Sequence, residues 1–586
     1  MKNSLRIAFL AAVAWSQAFS AQFKIAPDLI GRDPSATVDV IVQFKHAPTE
    51  RHHQKVHALG GRHKAGLEMV NGGLYALPAA ALQALADDPD VAYVSPDRPV
   101  RGMLDFANST VGADIARTYG FDGAGVGVAV IDSGVNNVWD LMVGSSASNS
   151  RIVYNESFVA GNKRTSDDYG HGTHVAGILA GNANSSSAAY DTHTFRGIAP
   201  RANLISLRVL DLNGAGTDSA VIAAIQRAIA LKSQYNIRVI NLSLGRPVFE
   251  SYTQDPLCQA VEQAWKAGIV VVVAAGNSGR DNSAGTAGYA TISAPGNDPY
   301  VITVGAMKTN GTAARADDTV ASYSSKGPAL LDHVVKPDLV APGNRVISLM
   351  AGKSTLQAKS SVNLLPYSYY MSTGSAANSI DYFRLSGTSM ATPMVSGAAA
   401  LLLQKDPSLT PDTVKARLMK SAAKSFPAYS TATDPTSGQI YTSQYDLFTV
   451  GAGYLDIWAA LNSTDTVGSG LSAVSPTAML DPVTGNVYVG NLAPGATTAV
   501  WGTNALWGST AVWGTSVFVG GANALWGSTA VWGTTAVWGT GGTQGYTAVW
   551  GTNALWGSNS SDASSLNAAT SLSSPESLNI AIYGDK

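Results

Sequence analysis

Five stretches carry unbroken runs of apolar, mostly β-branched residues: VGVAVIDSGV (Val126–Val135), ANLISLRVLD (Ala202–Asp211), IRVINLSLG (Ile237–Gly245), GIVVVVAAGN (Gly268–Asn277) and YVITVGA (Tyr300–Ala306). A run without polar alternation predicts a strand buried on both faces, hence a parallel sheet covered by helices. Between the runs, SAVIAAIQRAIALKS (Ser219–Ser233) and DPLCQAVEQAWKAG (Asp255–Gly268) have helical spacing and predict the crossovers. From about Met103 to Leu461 the pattern is therefore that of an α/β doubly wound parallel sheet.

Ahead of this region the period changes. VDVIVQFK (Val38–Lys45) reads as a strand, followed by a polar helical stretch to about Asn71. LYALP, the short helix AAALQALADDPD and VAYVSPDRPV complete strand, helix, strand, helix, strand in about sixty residues, a small α+β domain of ferredoxin-like type over 38–101. Residues 1–20 have the layout of an export signal. Lys2 and Arg6 precede the short apolar core IAFLAAVAW, and AFS or SQA gives the small-x-small cleavage pattern. An ordinary buried helix is the alternative reading of the same residues. No later run reaches the roughly 20 apolar residues of a membrane span.

Beyond Ser463 the composition shifts. No Asp, Glu, Lys or Arg occurs from Val483 to Ser561, and the hexads TAVWGT and NALWGS recur with eight of the twelve tryptophans. Six is even, so β alternation would keep Ala, Trp and Thr/Ser on one face. A stacked β arrangement and an adhesive low-complexity segment both fit. At roughly 150 residues per domain, the 586 residues suit three or four domains. A formal net charge of −2 gives no argument for nucleic acid or an anionic membrane as partner. The one cysteine, Cys258, excludes an intrachain disulfide; on a helical pattern it reads as a small buried apolar residue.

Ligands of open α/β sheets bind beyond the carboxyl ends of the strands. Asp132 ends one predicted strand and Asn277 another. His171 stands between two glycines ahead of a helix in DDYGHGTHVAGILAG, and Ser389 heads the helix GTSMATPMVSGAAALLL. Acyl transfer needs these four types. A hydroxyl is a weak nucleophile until a histidine takes its proton. A carboxylate holds that imidazole's tautomer, and donors must await the oxyanion. Ser389 at a helix N-terminus has an unpaired backbone N–H for that purpose, and Asn277 a side-chain amide. Gly387 allows close approach, and Pro393 is expected to cost little so near the helix start.

DSGV, GHGTHVAG and GTSMATPMVSG, in the order Asp, His, Ser and joined by AAGN, GIAP and KPDLVAPG, resemble the subtilisin-like serine proteases (subtilases) over roughly Val111 to Leu461. The resemblance implies a triad of Asp132, His171 and Ser389, with Asn277 completing the oxyanion hole and His174 structural. It implies that Gly214 and Gly216, and Ser243, Leu244 and Gly245, pair with extended substrate, and that Ala274 and Gly276 line the primary specificity pocket. Residues 38–101 resemble the family's inhibitory propeptide, cut off between Val100 and Asn108. That segment holds five of the nine histidines, His46, His52, His53, His57 and His63. They read as a solvated face, as an acid-triggered release, or, for His53 and His57, as a metal pair. The forty-five residues between Gly343 and Ser389 depart from the family, and part of them is expected to be an inserted surface loop. No cofactor is implied for the chemistry; calcium is often structural in the family, with Asp191, Asp317 and Asp318 as loose candidates.

These features predict a secreted endopeptidase acting on protein or peptide substrates, inhibited by its own propeptide, with 103–461 catalytic and 463–586 a repeat region that could attach it to a cell surface. The rival expectation is a catalytically idle subtilase domain acting as an extracellular binding or adhesive protein.

Overall fold

The computed structural model describes residues 24–26, 29, 33–96, 106–143, 149–188, 191–283, 285–468, 470–480, 487–490 and 575–585. The predicted signal, most of the expected cleavage stretch and all the Trp-Gly hexads lie outside them. The chain divides into two units, Met1–Arg101 and Gly102–Lys586.

In the first unit, β1 (Thr37–Phe44) alternates, turning Val38, Val40, Val42 and Phe44 inward. It is followed by α1 (Glu50–Ala58), β2 (Arg62–Leu67), β3 (Gly72–Pro78), α2 (Leu82–Ala86) and β4 (Val91–Pro96). The sheet order is β2-β3-β1-β4, and every neighbouring pair is antiparallel. The predicted polar helix stops early. Gly60 takes a left-handed φ of +80° and turns the chain into β2. As an edge strand with almost every side chain exposed, β2 has no hydrophobic alternation by which its sequence could show it. His53 faces His63 and Tyr75 in this unit. Its ring centroid lies 4.3 Å from that of His63, the planes tilted by 44°, and it shares a hydrogen bond of 2.9 Å with the Tyr75 hydroxyl.

In the second unit the five apolar runs become strands. They are β5 (Gly127–Asp132), β7 (Asn203–Arg208), β8 (Ile237–Leu242), β9 (Val270–Ala274) and β10 (Ile302–Lys308), with β6 (Ile152–Ser157) at one edge. β11 (Thr319–Val320) and β12 (Leu339–Pro342) both pair with β10. The order is β11-β10-β9-β8-β5-β7-β6, parallel throughout except at β11. All residues of β5 and β9 are buried, because helices cover both faces. On one side α3 (His171–Ala180) and α6 (Thr388–Lys405) pack together, α6 crossing β8, β9, β10 and β12. On the other, α4 (Asp218–Ala230) and α5 (Pro256–Lys266) pack on each other and on β5, β7, β8 and β9. α4 buries Ala220, Val221, Ala224, Ile225 and Ala228, the stripe its spacing predicts, and Thr217 caps it by accepting from the Ala220 N–H. α5 starts on an Asp255 cap with Pro256 in its first turn. It buries Cys258, whose thiol is pushed well above its usual range by that burial.

The segment after Gly343 is a surface loop only in part, mostly exposed over 372–377. It contains β13 (Val346–Leu349), β14 (Leu364–Pro366) and β15 (Asn378–Leu385) in a sheet of order β13-β15-β14. Tyr370, Tyr382 and Phe383 join the main core from it, because aromatic area that large is favourable to bury. The packed unit also runs past 461. Ala473, Val474 and Ala478 are buried, and the Val335 N–H donates to the Pro476 carbonyl.

Under this extension lies a charge cluster with no exposure. Asp338 Oδ2 accepts from Lys336 Nζ and from the Thr303 N–H, both at 2.7 Å. Its Oδ1 accepts from Ser475 Oγ at 2.6 Å and faces Lys415 Nζ at 3.4 Å. Burial pulls the Asp338 carboxyl up, but the two lysines outweigh it and hold the group below its ordinary value. Replacing Asp338 with Ala strands two buried cations and is expected to cost about 3–5 kcal/mol in urea unfolding. A loss under 1 kcal/mol would show that the cluster does not hold this side of the sheet.

Candidate active site

Asp132 is the last residue of β5 and has no exposure. Its Oδ1 accepts from the Ser133 N–H at 2.7 Å and from His171 Nδ1–H at 2.8 Å. His171 is the first residue of α3, and the surrounding glycines are steric requirements. A Cβ at Gly172 would lie 2.2 Å from the Gly134 carbonyl, and Gly170 has a φ of +103°. Burial alone would lower the His171 pKa. The Asp132 charge and hydrogen bond, with Asp167 adding, outweigh it and leave the imidazole more basic than usual.

Asp167 was not singled out from the sequence. Its Oδ1 accepts from Ser133 Oγ and the Gly170 N–H, both at 2.7 Å, and its Oδ2 from the Thr173 N–H at 2.8 Å. It thus caps α3 from outside the helix. Through Ser133, whose Oγ accepts from the Gly172 N–H at 2.9 Å, it also ties the helix start to the end of β5. The available signal was an Asp-Asp pair just before GHG and a hydroxyl directly after Asp132. His174, one turn further, lies between the carbonyls of Val346 and Phe383, and burial lowers its pKa to about 3, so it stays neutral.

Ser389 is the second residue of α6, so its N–H has no intrahelical acceptor. Its Oγ donates to the Ser243 carbonyl at 3.1 Å, and Ser243 Oγ donates back to the Ser389 carbonyl at 2.9 Å. This exchange corrects the expectation for Pro393. The ring removes the N–H that would bond the Ser389 carbonyl four residues back, a position well inside the helix rather than among its unpaired first donors. The carbonyl so freed is taken by Ser243, whose hydroxyl in turn accepts from Asn241 Nδ2 at 3.0 Å. Ser243 and Asp132 follow or end the neighbouring parallel strands β8 and β5. The segment bearing Ser389 is therefore tied to the end of β8, the strand next to the one that ends in Asp132.

Asn277 follows β9. Its Oδ1 accepts from the Thr388 N–H at 2.9 Å and from Thr388 Oγ at 3.1 Å. With the oxygen held, the amide's two N–H donors face away, next to Gly387. Gly276, at φ +107°, has Ser325 Oγ 2.8 Å from where a Cβ would stand, and its N–H donates to Thr388 Oγ at 3.2 Å. Ala274, at the end of β9, and Leu244 are buried. The Gly245 position has Ser293 Oγ 2.6 Å from an added Cβ. Gly214 sits at φ +76° against the Tyr169 ring, in a turn that closes on Asp211. That ring's centroid is 6.4 Å from the His171 ring. Gly216 lies in the exposed part of the same turn. Ser243 therefore has its side chain and carbonyl committed to Ser389.

The calcium candidates do not converge. Asp318 Oδ2 accepts from the Tyr454 hydroxyl at 2.6 Å, Asp317 accepts from Thr312 Oγ, and Asp191 from the Ala188 N–H. Burial raises the Asp318 carboxyl to about 7. Among the described residues no three His, Cys, Asp or Glu side chains gather as a metal set.

Residues 123–478 match the subtilase family. The chain is 40% identical over 358 residues to "Serine protease AprX" of Bacillus subtilis, covering 59% of this chain and 73% of that protein. It is 36% identical over 310 residues to "Subtilisin DY" of Bacillus licheniformis (53% and 88%) and 33% identical over 367 residues to "Subtilisin E" of Bacillus subtilis (62% and 78%). The chain belongs to the subtilase family. It is a serine endopeptidase of the subtilisin type.

The Asp167 arrangement has a measurable consequence. In Asp167→Ala the cap of α3 and the partner of Ser133 are lost, which is expected to cost about 1–3 kcal/mol. The His171 imidazole should also titrate at lower pH, since a carboxylate that raises its pKa is gone. An NMR titration of His171 that does not move would contradict the electrostatic part.

Proposed function

We propose that Ser389, His171 and Asp132 are the catalytic triad of a secreted endopeptidase that removes its own N-terminal unit. The observation that carries this is the Asp132–His171 bond. A fully buried carboxylate holds Nδ1–H at 2.8 Å, which leaves Nε2 as the base. Ser389 Oγ leaves the Ser243 carbonyl, passes its proton to His171 Nε2 and attacks the peptide carbonyl. His171 then returns the proton to the departing amine, and water repeats the sequence on the acyl-enzyme. The oxyanion lies between the Ser389 N–H, favoured by the α6 dipole, and the amide of Asn277, pre-aimed because Thr388 holds its oxygen. The backbones of Gly214 and Gly216 and of Ser243, Leu244 and Gly245 pair with extended substrate, and Ala274 and Gly276 line the pocket for the side chain before the cut. The first unit is the inhibitory propeptide; its strand order, antiparallel pairing and β-α-β-β-α-β succession suit a ferredoxin-like domain. Export rests on the charged, apolar and small-residue layout of residues 1–20. Among the described residues no helix is long and apolar enough to cross a membrane.

Intact mass of the secreted chain tests this. Wild type should lose its first hundred-odd residues, and Ser389→Ala should keep all that follows the signal. If both stay uncut while folded, self-processing is wrong and the binding-protein reading gains. Asn277→Ala should lower kcat by about 10²–10³ with KM little changed, read in steady-state kinetics. For pH, neutral His171 is the active form, so kcat/KM rises as pH climbs through its raised pKa. Asp132→Asn removes the charge that raises it, so the acid limb should move to lower pH and the plateau fall about 10⁴-fold. An unmoved limb would remove Asp132 from this role.

A further inference from the structure

Beyond residues 491–574 the chain returns to the catalytic unit. α7 (Pro575–Tyr583) lies against β15, with Ile580 1% and Asp585 0% exposed. Gly584 ends the helix at φ +60°, its N–H donating to the Ile580 carbonyl at 2.9 Å. A Cβ there would stand 2.4 Å from both Asn344 Oδ1 and Ser386 Oγ, so the seat takes glycine alone.

The seat is built of charged and polar groups. Asp585 Oδ1 accepts from Arg280 Nη2 at 2.6 Å and Ser322 Oγ at 2.7 Å, and its Oδ2 from the Ser322 N–H at 2.6 Å. The Asn344 side chain reads the Asp585 backbone at both ends, donating to its carbonyl at 3.1 Å and accepting from its N–H at 2.8 Å. The Ser386 N–H donates to the Ala581 carbonyl at 2.9 Å. Buried Arg280 also meets Ser322 Oγ at 2.8 Å and Asp434 at 3.7 Å, and lies near the faces of Tyr323 and Tyr441. This is carboxylate recognition by a buried guanidinium combined with main-chain reading, as in peptide sites.

The location links the seat to the site. Arg280 is three residues after Asn277, and Ser386 three before Ser389. Asn344 follows Gly343, whose carbonyl accepts from the Gly387 N–H at 2.9 Å. Without the distal segment, the N–H groups of Ser322 and Ser386 and the Asn344 amide lose these partners directly behind both loops.

We infer that residues 578–585 are a built-in peptide ligand of the catalytic unit, bracing the loops that carry Asn277 and Ser389. The cleft of Arg280, Ser322, Asn344 and Ser386 is then a binding site for a short peptide with an apolar helical turn followed by Gly-Asp. The docking stands on geometry alone; the effect on rate rests on the reading of Ser389 as nucleophile.

The test uses the full chain with a site-specific protease sequence inserted between Ser565 and Leu566 and cut after folding. In a Ser389→Ala background, which removes self-digestion, the cut chain should keep its distal fragment through size-exclusion chromatography, and Asp585→Ala should release it. With Ser389 intact, release should lower kcat about tenfold with KM little changed. Excess synthetic peptide of residues 575–586 should restore the rate, and the same peptide carrying Asp585→Ala should not. Loss of the unmutated fragment on cutting, or retention of the Asp585→Ala fragment, overturns the docking. An unchanged kcat on release overturns the bracing. If no form of the chain cleaves peptides, the reading of Ser389 fails, while fragment retention still decides the docking.

Discussion

A carboxylate with no solvent exposure at the end of a central strand is the constraint around which the site is arranged. Taking such a charge out of water costs several kcal/mol unless hydrogen-bond donors replace the water. Around Asp132 these are the Ser133 N–H and His171 Nδ1–H. Meeting that need fixes the start of α3. Gly172 must lack a side chain to pass the Gly134 carbonyl, and Asp167 must hold the Gly170 and Thr173 N–H groups so that the helix begins where the imidazole can reach. A basic, oriented histidine follows from the burial of its partner.

The serine side has a different origin. α6 is buried from Thr388 to Leu403, a rigid rod lying on the sheet. The backbone hydrogen bond that residue 393 would make to the Ser389 carbonyl is lost to Pro393, and the carbonyl left over is the one that binds Ser243. The missing bond thus becomes a tie between the nucleophile segment and the end of β8. Asn277, after β9, is tied to the same segment through Thr388. Parallel strands put all these ends on one edge, so contacts separated by more than a hundred residues converge with little adjustment.

Much of this was legible in the chain. The apolar runs of β5, β7, β8, β9 and β10 are long enough to be read as buried strands, and Asp132, His171, Asn277 and Ser389 each stand within a few residues of a strand end or helix start. What escaped reading had no local pattern. β2 is an exposed edge with nothing to alternate, and the β13-β15-β14 sheet is bridged by polar and aromatic residues that resemble a loop. The role of Pro393 depends on Ser243, about 150 residues away, and the seat of Asp585 on Arg280, about 300 residues away. Such partners leave no periodicity, because each is a single long-range contact chosen by shape and charge.

The most direct measurement of the central claim is covalent labelling of the folded chain with a peptidyl fluorophosphonate, located by peptide mapping. Attack of the Ser389 oxygen on phosphorus, with its proton passing to His171 and fluoride leaving, mimics the first chemical step and needs both the base and the oxyanion donors. The account predicts one label per chain, on Ser389, and its near-complete loss in His171→Ala. Label on another residue, equal labelling without His171, or none on the folded processed chain would contradict it.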